Sequence, residues 1–84
     1  SANKSRFMAR VMINALNEPG TLASVAQSIA TLDVNIRGLN MVRIGTDFSE
    51  LALDVEVWDL RQLNQLLSQL KDLDCVSTVT RAFD

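Results

Sequence analysis

The chain has 84 residues, of which 48% are hydrophobic, and a formal net charge of −2. This length allows one small domain with a marginal core, which a second subunit would help to stabilise. The lack of a basic excess argues against non-specific nucleic-acid binding. The chain has no histidine, no second cysteine and no carboxylate pair in an apolar setting. This composition argues against catalysis, a metal site or a bound cofactor in this chain.

The first half of the chain predicts a strand followed by a helix. Residues 1–5 are expected to be a tag remnant or a flexible lead-in, and residues 6–84 to form a single domain. Alternation of apolar and polar residues over 6–16 predicts a strand with at least one buried face. Helical spacing of apolar residues over 20–32 predicts an amphipathic helix, with Pro19 in its first turn.

The second half predicts a hairpin, a second helix and a final strand. The run 34–44 predicts a strand with Gly38 at a bulge, and the run 48–58 alternates cleanly as its hairpin partner. Asp59 is a good N-cap for the next helix, and a strand over 75–83 follows. The second helix carries a leucine stripe that is expected to pack on the sheet. The stripe comprises Leu60, Leu63, Leu66, Leu67, Leu70 and Leu73.

The element order β-α-β-β-α-β predicts an α+β fold, the ferredoxin-like sandwich. Right-handed crossovers then give a four-stranded antiparallel sheet in order 4-1-3-2 with both helices on one face. Two open sheet edges and limited burial favour a homodimer, joined by sheet extension or by helix packing, of which we favour edge-to-edge pairing. No apolar run is long enough for a membrane span and no signal peptide is visible, so we expect a cytoplasmic protein without a membrane partner.

This fold carries enzymes, RNA binders and regulators, so the function must be argued from a site. RNA-binding versions stack bases on aromatic residues of the central strands. Here the only aromatic candidates, Phe7, Phe48 and Trp58, lie near predicted strand ends. Base stacking on the sheet is therefore disfavoured.

The segment "NEPGTL" after the first strand and "DVNI" before the second form the best candidate site. The strand ends are expected to bring Asn17 and Asn35 near the N-terminus of the first helix, whose free N–H groups and dipole suit a carboxylate. An asparagine amide serves both a carboxylate and an ammonium, and Gly20 allows close backbone approach. That combination suits a free amino acid. The alternative is that the Pro-Gly pair only starts a helix and that Asn17 is only a turn residue.

Four fragments carry a family resemblance that extends from about Arg6 to Phe83. They are "NEPGTLASVAQSIA", "NIRGLNMVR", "DFSELALDVEVWDLRQLNQLLSQL" and "VSTVTR". The chain resembles the ACT domain, an amino-acid-sensing module of metabolic enzymes. Within that family it is most similar to the C-terminal ACT domain of long RelA/SpoT-type enzymes, the GTP pyrophosphokinases that make and hydrolyse (p)ppGpp in the stringent response.

The resemblance implies a regulatory domain excised from a larger enzyme. ACT domains pair and bind amino acids at the interface, with branched-chain amino acids (valine, leucine or isoleucine) as the candidate ligands in this group. The ligand would signal to distant catalytic domains, in a region that also engages the ribosome and uncharged tRNA. The implied contacts on one subunit are Asn17, Gly20, Thr21 and Leu22. Those on the other subunit are Asn35 and Ile36.

The competing hypothesis is a docking module without a small ligand, which would bind the parent enzyme, the ribosome or RNA. Its candidate residues are Arg6, Arg10, Arg37, Arg43 and Arg81. Docking on RNA should weaken steeply as salt is raised, whereas binding of a free amino acid should barely change.

Overall fold

A computed structural model describes residues 6–82. Its elements follow the predicted order βαββαβ. In chain order they are β1 (Phe7–Leu16), α1 (Thr21–Ala30), β2 (Asn35–Ile44), β3 (Phe48–Val57), α2 (Leu60–Lys71) and β4 (Val76–Ala82). The predicted tag remnant at residues 1–5 and the predicted strand end at residue 83 lie outside the described residues.

The four strands form one antiparallel sheet in the order β2-β3-β1-β4. This is the predicted order 4-1-3-2 read from the other edge, so the topology is confirmed. The central strands β1 and β3 pair along their whole length, from Phe7 opposite Val57 to Leu16 opposite Phe48. The outer strands β2 and β4 are the sheet edges.

The core lies between one face of the sheet and the two helices. Inward residues of β1 and β3 alternate as predicted, and the helices supply the opposite side. The core strand residues include Val11, Ile13, Leu51, Leu53, Val55 and Val57, and the core helix residues include Val25, Ile29, Leu63, Leu66 and Leu70. The leucine stripe is therefore confirmed except at its start. Leu60 is 57% exposed because it is the first residue of α2 and lies beyond the edge of the core.

The N-cap of α2 is also confirmed. Asp59 accepts a hydrogen bond from the backbone N–H of Gln62 (2.9 Å), and the Gln62 side-chain oxygen accepts one from the backbone N–H of Trp58 (2.8 Å). The Gln62 N–H, one of the groups that a helix start leaves free, is thereby satisfied, and the Trp58 N–H before the cap also gains an acceptor.

The edge strand β2 carries two irregularities in its pairing with β3. One falls between Ile36 and Gly38, where a bulge was predicted, and the other between Met41 and Arg43. Because directly opposed residues share a face, the pairing with inward residues of β3 sets the helix side of β2. That side comprises Ile36, Leu39, Met41 and Ile44. These apolar residues are only partly covered, and Ile44 is 69% exposed, so the edge is suited to contact another molecule.

Candidate functional site

A tight turn over residues 18–21 connects β1 to α1. Gly20 has φ 89° and ψ −14°, the values of the third residue of a type II turn, with Pro19 before it. The backbone N–H of Thr21 closes the turn on the Glu18 carbonyl oxygen at 3.3 Å. The predicted placement of Pro19 in the first helical turn is therefore wrong. The left-handed conformation of Gly20 cannot belong to the helix, which begins at Thr21.

The N-terminus of α1 has no side-chain cap and no acidic residue in its first turn. The first helical bond runs from the N–H of Ser24 to the Gly20 carbonyl oxygen (2.9 Å). The N–H groups of Leu22 and Ala23 thus have no acceptor within the helix. Together with the positive end of the helix dipole, they have the donor groups and the charge that suit an anion.

A cavity of about 280 Å³ lies beside this helix start. It is lined by the end of β1, by the turn and the start of α1, and by three residues from the strands β2 and β3. The lining residues are Ala15, Leu16, Asn17, Glu18, Pro19, Gly20, Thr21, Leu22, Met41, Ser49 and Leu51. Four of the six predicted site residues, Asn17, Gly20, Thr21 and Leu22, are therefore brought together. The volume lies just below the usual range for ligand pockets, which begins at about 300 Å³, and suits a small ligand.

Ser49 is a lining residue that sequence reasoning missed. It is 3% exposed, and its Oγ atom is buried without a hydrogen-bond partner, the one such side-chain atom within residues 6–82. It lies opposite Ala15 of β1 and Ile44 of β2. The signal was present in the sequence, because the inward positions of β3 are otherwise apolar and Ser49 extends the same frame.

Asn17 holds the end of β1 against the turn between β2 and β3. Its side-chain Nδ2 donates to the Gly45 carbonyl oxygen (2.9 Å), and its backbone N–H donates to the Asp47 carbonyl oxygen (2.8 Å). The side chain therefore makes the contact expected under the alternative that Asn17 is a turn residue. Its amide oxygen and second N–H are not used by this bond.

Asn35 and Ile36 lie at the opposite end of the sheet from Asn17. Asn35 pairs with Glu56, whereas Asn17 follows Leu16, which pairs with Phe48. At about 3.4 Å per residue, the length of β3 between these positions is roughly 27 Å. The expectation that Asn17 and Asn35 meet at one strand end is wrong for a single chain. Both β1 and β2 run antiparallel to β3, so the end of one and the start of the other point to opposite ends.

Both residues at that far end are accessible. The Asn35 Nδ2 donates to the Glu56 Oε1 atom (2.7 Å) and the residue is exposed. Ile36 is 41% exposed on the helix side of the edge strand. Neither residue belongs to the cavity of its own chain.

Comparison with known proteins identifies the family. A family model described as the ACT domain matches residues 3–81. The chain belongs to the ACT-domain family. It is also 51% identical over 76 residues to the GTP pyrophosphokinase rsh of Brucella ovis, a match that covers 90% of this chain and 10% of that protein. The chain thus spans about a tenth of the length of the curated relatives it matches.

Solved structures show the same fold at low sequence identity. The crystal structure of the ACT domain from GTP pyrophosphokinase of Chlorobium tepidum has a TM-score of 0.81 and 23% identity, and the match covers 93% of this chain and all of that one. The C-terminal domain of the MgtC protein from Mycobacterium tuberculosis has a TM-score of 0.72 and 17% identity, with 98% and 90% of the two chains covered. These two likenesses support the fold alone.

At least three of the five arginines considered for docking are paired with carboxylates in this ACT domain. The pairs are Arg6–Asp33, Arg10–Asp54 and Arg37–Glu56. The Arg10 pair is bidentate, with distances of 2.7 and 3.1 Å, and its hydrogen bond to the Asp54 side chain lowers the pKa of that carboxyl. Such pairing reduces the positive charge that an RNA backbone would meet.

Within residues 6–82, no group of three histidine, cysteine or acidic side chains is arranged to hold a metal ion. Cys75 is a free, half-buried thiol. None of the helices in this part of the chain has the length and apolar character needed to cross a membrane.

Proposed function

We propose that this ACT domain binds a free amino acid and thereby regulates a RelA/SpoT-type GTP pyrophosphokinase. The observation that carries the proposal is the uncapped start of α1 beside a cavity of about 280 Å³. Unpaired N–H groups and the helix dipole stabilise a carboxylate. Regulation by ligand binding agrees with the family to which the domain belongs.

The lining of the cavity suits the other parts of an amino acid. Leu22, Met41 and Leu51 present apolar surface to a ligand side chain. Glu18, the carboxylate among the lining residues, is exposed at the turn and would attract the ligand ammonium. The amide oxygen of Asn17 is a further acceptor for that group. An apolar zwitterion, with valine, leucine and isoleucine as the candidates, meets these requirements.

A second copy of the chain would complete the site. A two-fold axis that pairs two β2 edges antiparallel reverses the direction of the second strand. It would thus carry Asn35 and Ile36 of the second copy toward the Asn17 end of the first. The partly exposed apolar side chains of β2, among them Met41 and Ile44, support an interface at this edge. The two groups of predicted site residues, far apart in one chain, would then meet across the dimer.

The regulatory effect would be exerted on domains outside this chain. The Brucella relative is a GTP pyrophosphokinase, and the match covers 10% of it. We therefore propose a parent enzyme in the cytoplasm that makes or hydrolyses (p)ppGpp, with the ribosome and tRNA as further partners. A bound amino acid would shift the balance between catalytic states only if it binds one state more tightly than the other.

Isothermal titration calorimetry against the twenty amino acids tests the proposal. Selective binding of a branched-chain amino acid, abolished by the double change Asn17→Ala and Asn35→Ala, is the expected result. Asn64→Ala is the matched control, because Asn64 is exposed on α2 away from the cavity. No binding at millimolar concentration by a folded dimer would reject the proposal and favour docking on protein or RNA, which salt dependence would then separate.

A further inference from the structure

The hydroxyl of Ser49 is a buried polar group without a hydrogen-bond partner. Ser49 is 3% exposed and its Oγ atom makes no hydrogen bond. Its cross-strand neighbours Ala15 and Ile44 are both apolar. Buried polar groups in proteins are nearly always paired, and an unpaired one destabilises the fold. A partner from outside the chain would remove this penalty.

The same cavity that Ser49 lines also receives the uncapped N-terminus of α1. Of the unsatisfied N–H groups at this helix start, one belongs to Leu22, which lines the cavity, and the other to Ala23, the next residue of α1. Both are donors, and a serine hydroxyl is able to donate as well. Three donors without acceptors are complementary to an anion. A branched-chain amino acid offers acceptor oxygens only on its carboxylate, because its side chain is apolar.

We infer that Ser49 is a ligand-binding residue whose hydroxyl donates a hydrogen bond to the carboxylate of the bound amino acid. This inference rests on the proposed function and adds a binding residue that neither the Pro-Gly loop nor the strand ends supply. The carboxylate would lie between the start of α1 and the sheet, held by donors from both sides. Glu18 at the exposed turn would remain on the ammonium side of the ligand.

The test is calorimetric titration of the 84-residue chain with L-valine, compared with Ser49→Ala and Ser49→Cys. Because a hydrogen bond to a charged group contributes more binding free energy than one between neutral groups, Ser49→Ala should weaken valine binding about 10- to 150-fold. Ser49→Cys keeps nearly the same volume with a weak donor, so it should also lose most of the affinity. Ser68→Ala, at an exposed position of α2, should bind valine like the parent chain.

Two further readouts separate a binding role from a structural one. The unliganded Ser49→Ala chain should melt no lower than the parent, because the change removes a hydroxyl that has no partner. Isobutylamine, which is valine without its carboxyl group and has no acceptor oxygen, should bind weakly to the parent chain and lose little more in Ser49→Ala, since the two changes remove the same bond.

The outcomes are distinct. If the parent chain binds valine and Ser49→Ala binds it equally well, the inference about Ser49 fails and the proposed function stands. Full affinity in Ser49→Cys with loss in Ser49→Ala would assign the effect to volume and overturn the hydrogen bond. Tighter binding of threonine than of its isostere valine, lost in Ser49→Ala, would place the hydroxyl against the ligand side chain and overturn the carboxylate assignment. Absence of binding by the parent chain to any amino acid would overturn both proposals.

Discussion

Replacement of Gly20 by alanine isolates the backbone conformation of the turn before α1. Gly20 has φ 89°, and a Cβ atom built there meets no other atom within 4 Å. The substitution therefore causes no steric clash with neighbours, and its effect comes from the left-handed backbone alone. That conformation costs about 1–2 kcal/mol for a residue with a Cβ atom.

Alanine has less conformational freedom than glycine in the unfolded chain, and this difference offsets part of the destabilisation. The gain from replacing glycine is about 0.4–1 kcal/mol, which leaves a net loss of about 1 kcal/mol in the free energy of unfolding. For a domain of this size, such a loss lowers the melting temperature by roughly 4–8 °C. Urea unfolding followed by circular dichroism measures the first quantity, and a thermal scan measures the second.

Two matched substitutions complete the experiment. Gly20→Asn should lose less than Gly20→Ala, because asparagine tolerates the left-handed region better. Gly38→Ala, where φ is not positive and the nearest atoms are 3.8 and 3.9 Å from the built Cβ, should stay within about 0.5 kcal/mol of the parent. Equal stability of Gly20→Ala and Gly38→Ala would refute the assignment of a strained turn at Gly20.

Three other substitutions test separate parts of the fold. Gly45→Ala places a Cβ against the Phe48 carbonyl oxygen, and urea unfolding should show a loss of more than about 1 kcal/mol; a neutral result would contradict the hairpin geometry. Asp59→Ala removes the α2 cap and should cost about 1 kcal/mol in the same assay, and unchanged stability would reject the cap. The pKa of Asp54 is lowered by Arg10, so its stabilisation is present above the ordinary value of 3.8 and is lost as pH falls through the lower folded-state pKa. Asp54→Asn should therefore show a flatter loss of stability below about pH 4, and an unchanged pH profile would contradict the pairing.

The regular parts of the fold were predictable because burial imposes a period on the sequence. The inward residues of β3, from Leu51 to Val57, recur at every second position because one face of the strand packs under both helices, although the outward Ala52 is buried as well. The leucines of α2 recur at helical spacing for the same reason. Leu60 follows that spacing but is exposed at the helix start, because the spacing alone does not indicate at which residue the core ends.

The candidate site was only partly predictable because it depends on strand direction. Asn17 and Gly20 are close in sequence, so their proximity at the cavity follows from the turn itself. The distance between Asn17 and Asn35 depends on strand direction. Because β1 and β2 both pair antiparallel to β3, the two residues lie at opposite ends of the sheet within one chain. The sequence indicates that Ser49 is a polar residue at an inward position of β3. Its place beside the cavity depends on the pairing with β1, which only the structure shows.

Titration of the isotopically labelled chain with L-valine, followed by backbone amide NMR, tests the central claim most directly. We expect saturable chemical-shift changes at Leu22, Ala23 and Ser49, with smaller changes at Asn35 and Ile36 where a second copy meets the ligand. Changes confined to the helix-free face, for example at Asn14 and Glu50, or none at millimolar valine in a folded sample, would contradict an amino-acid site at the start of α1.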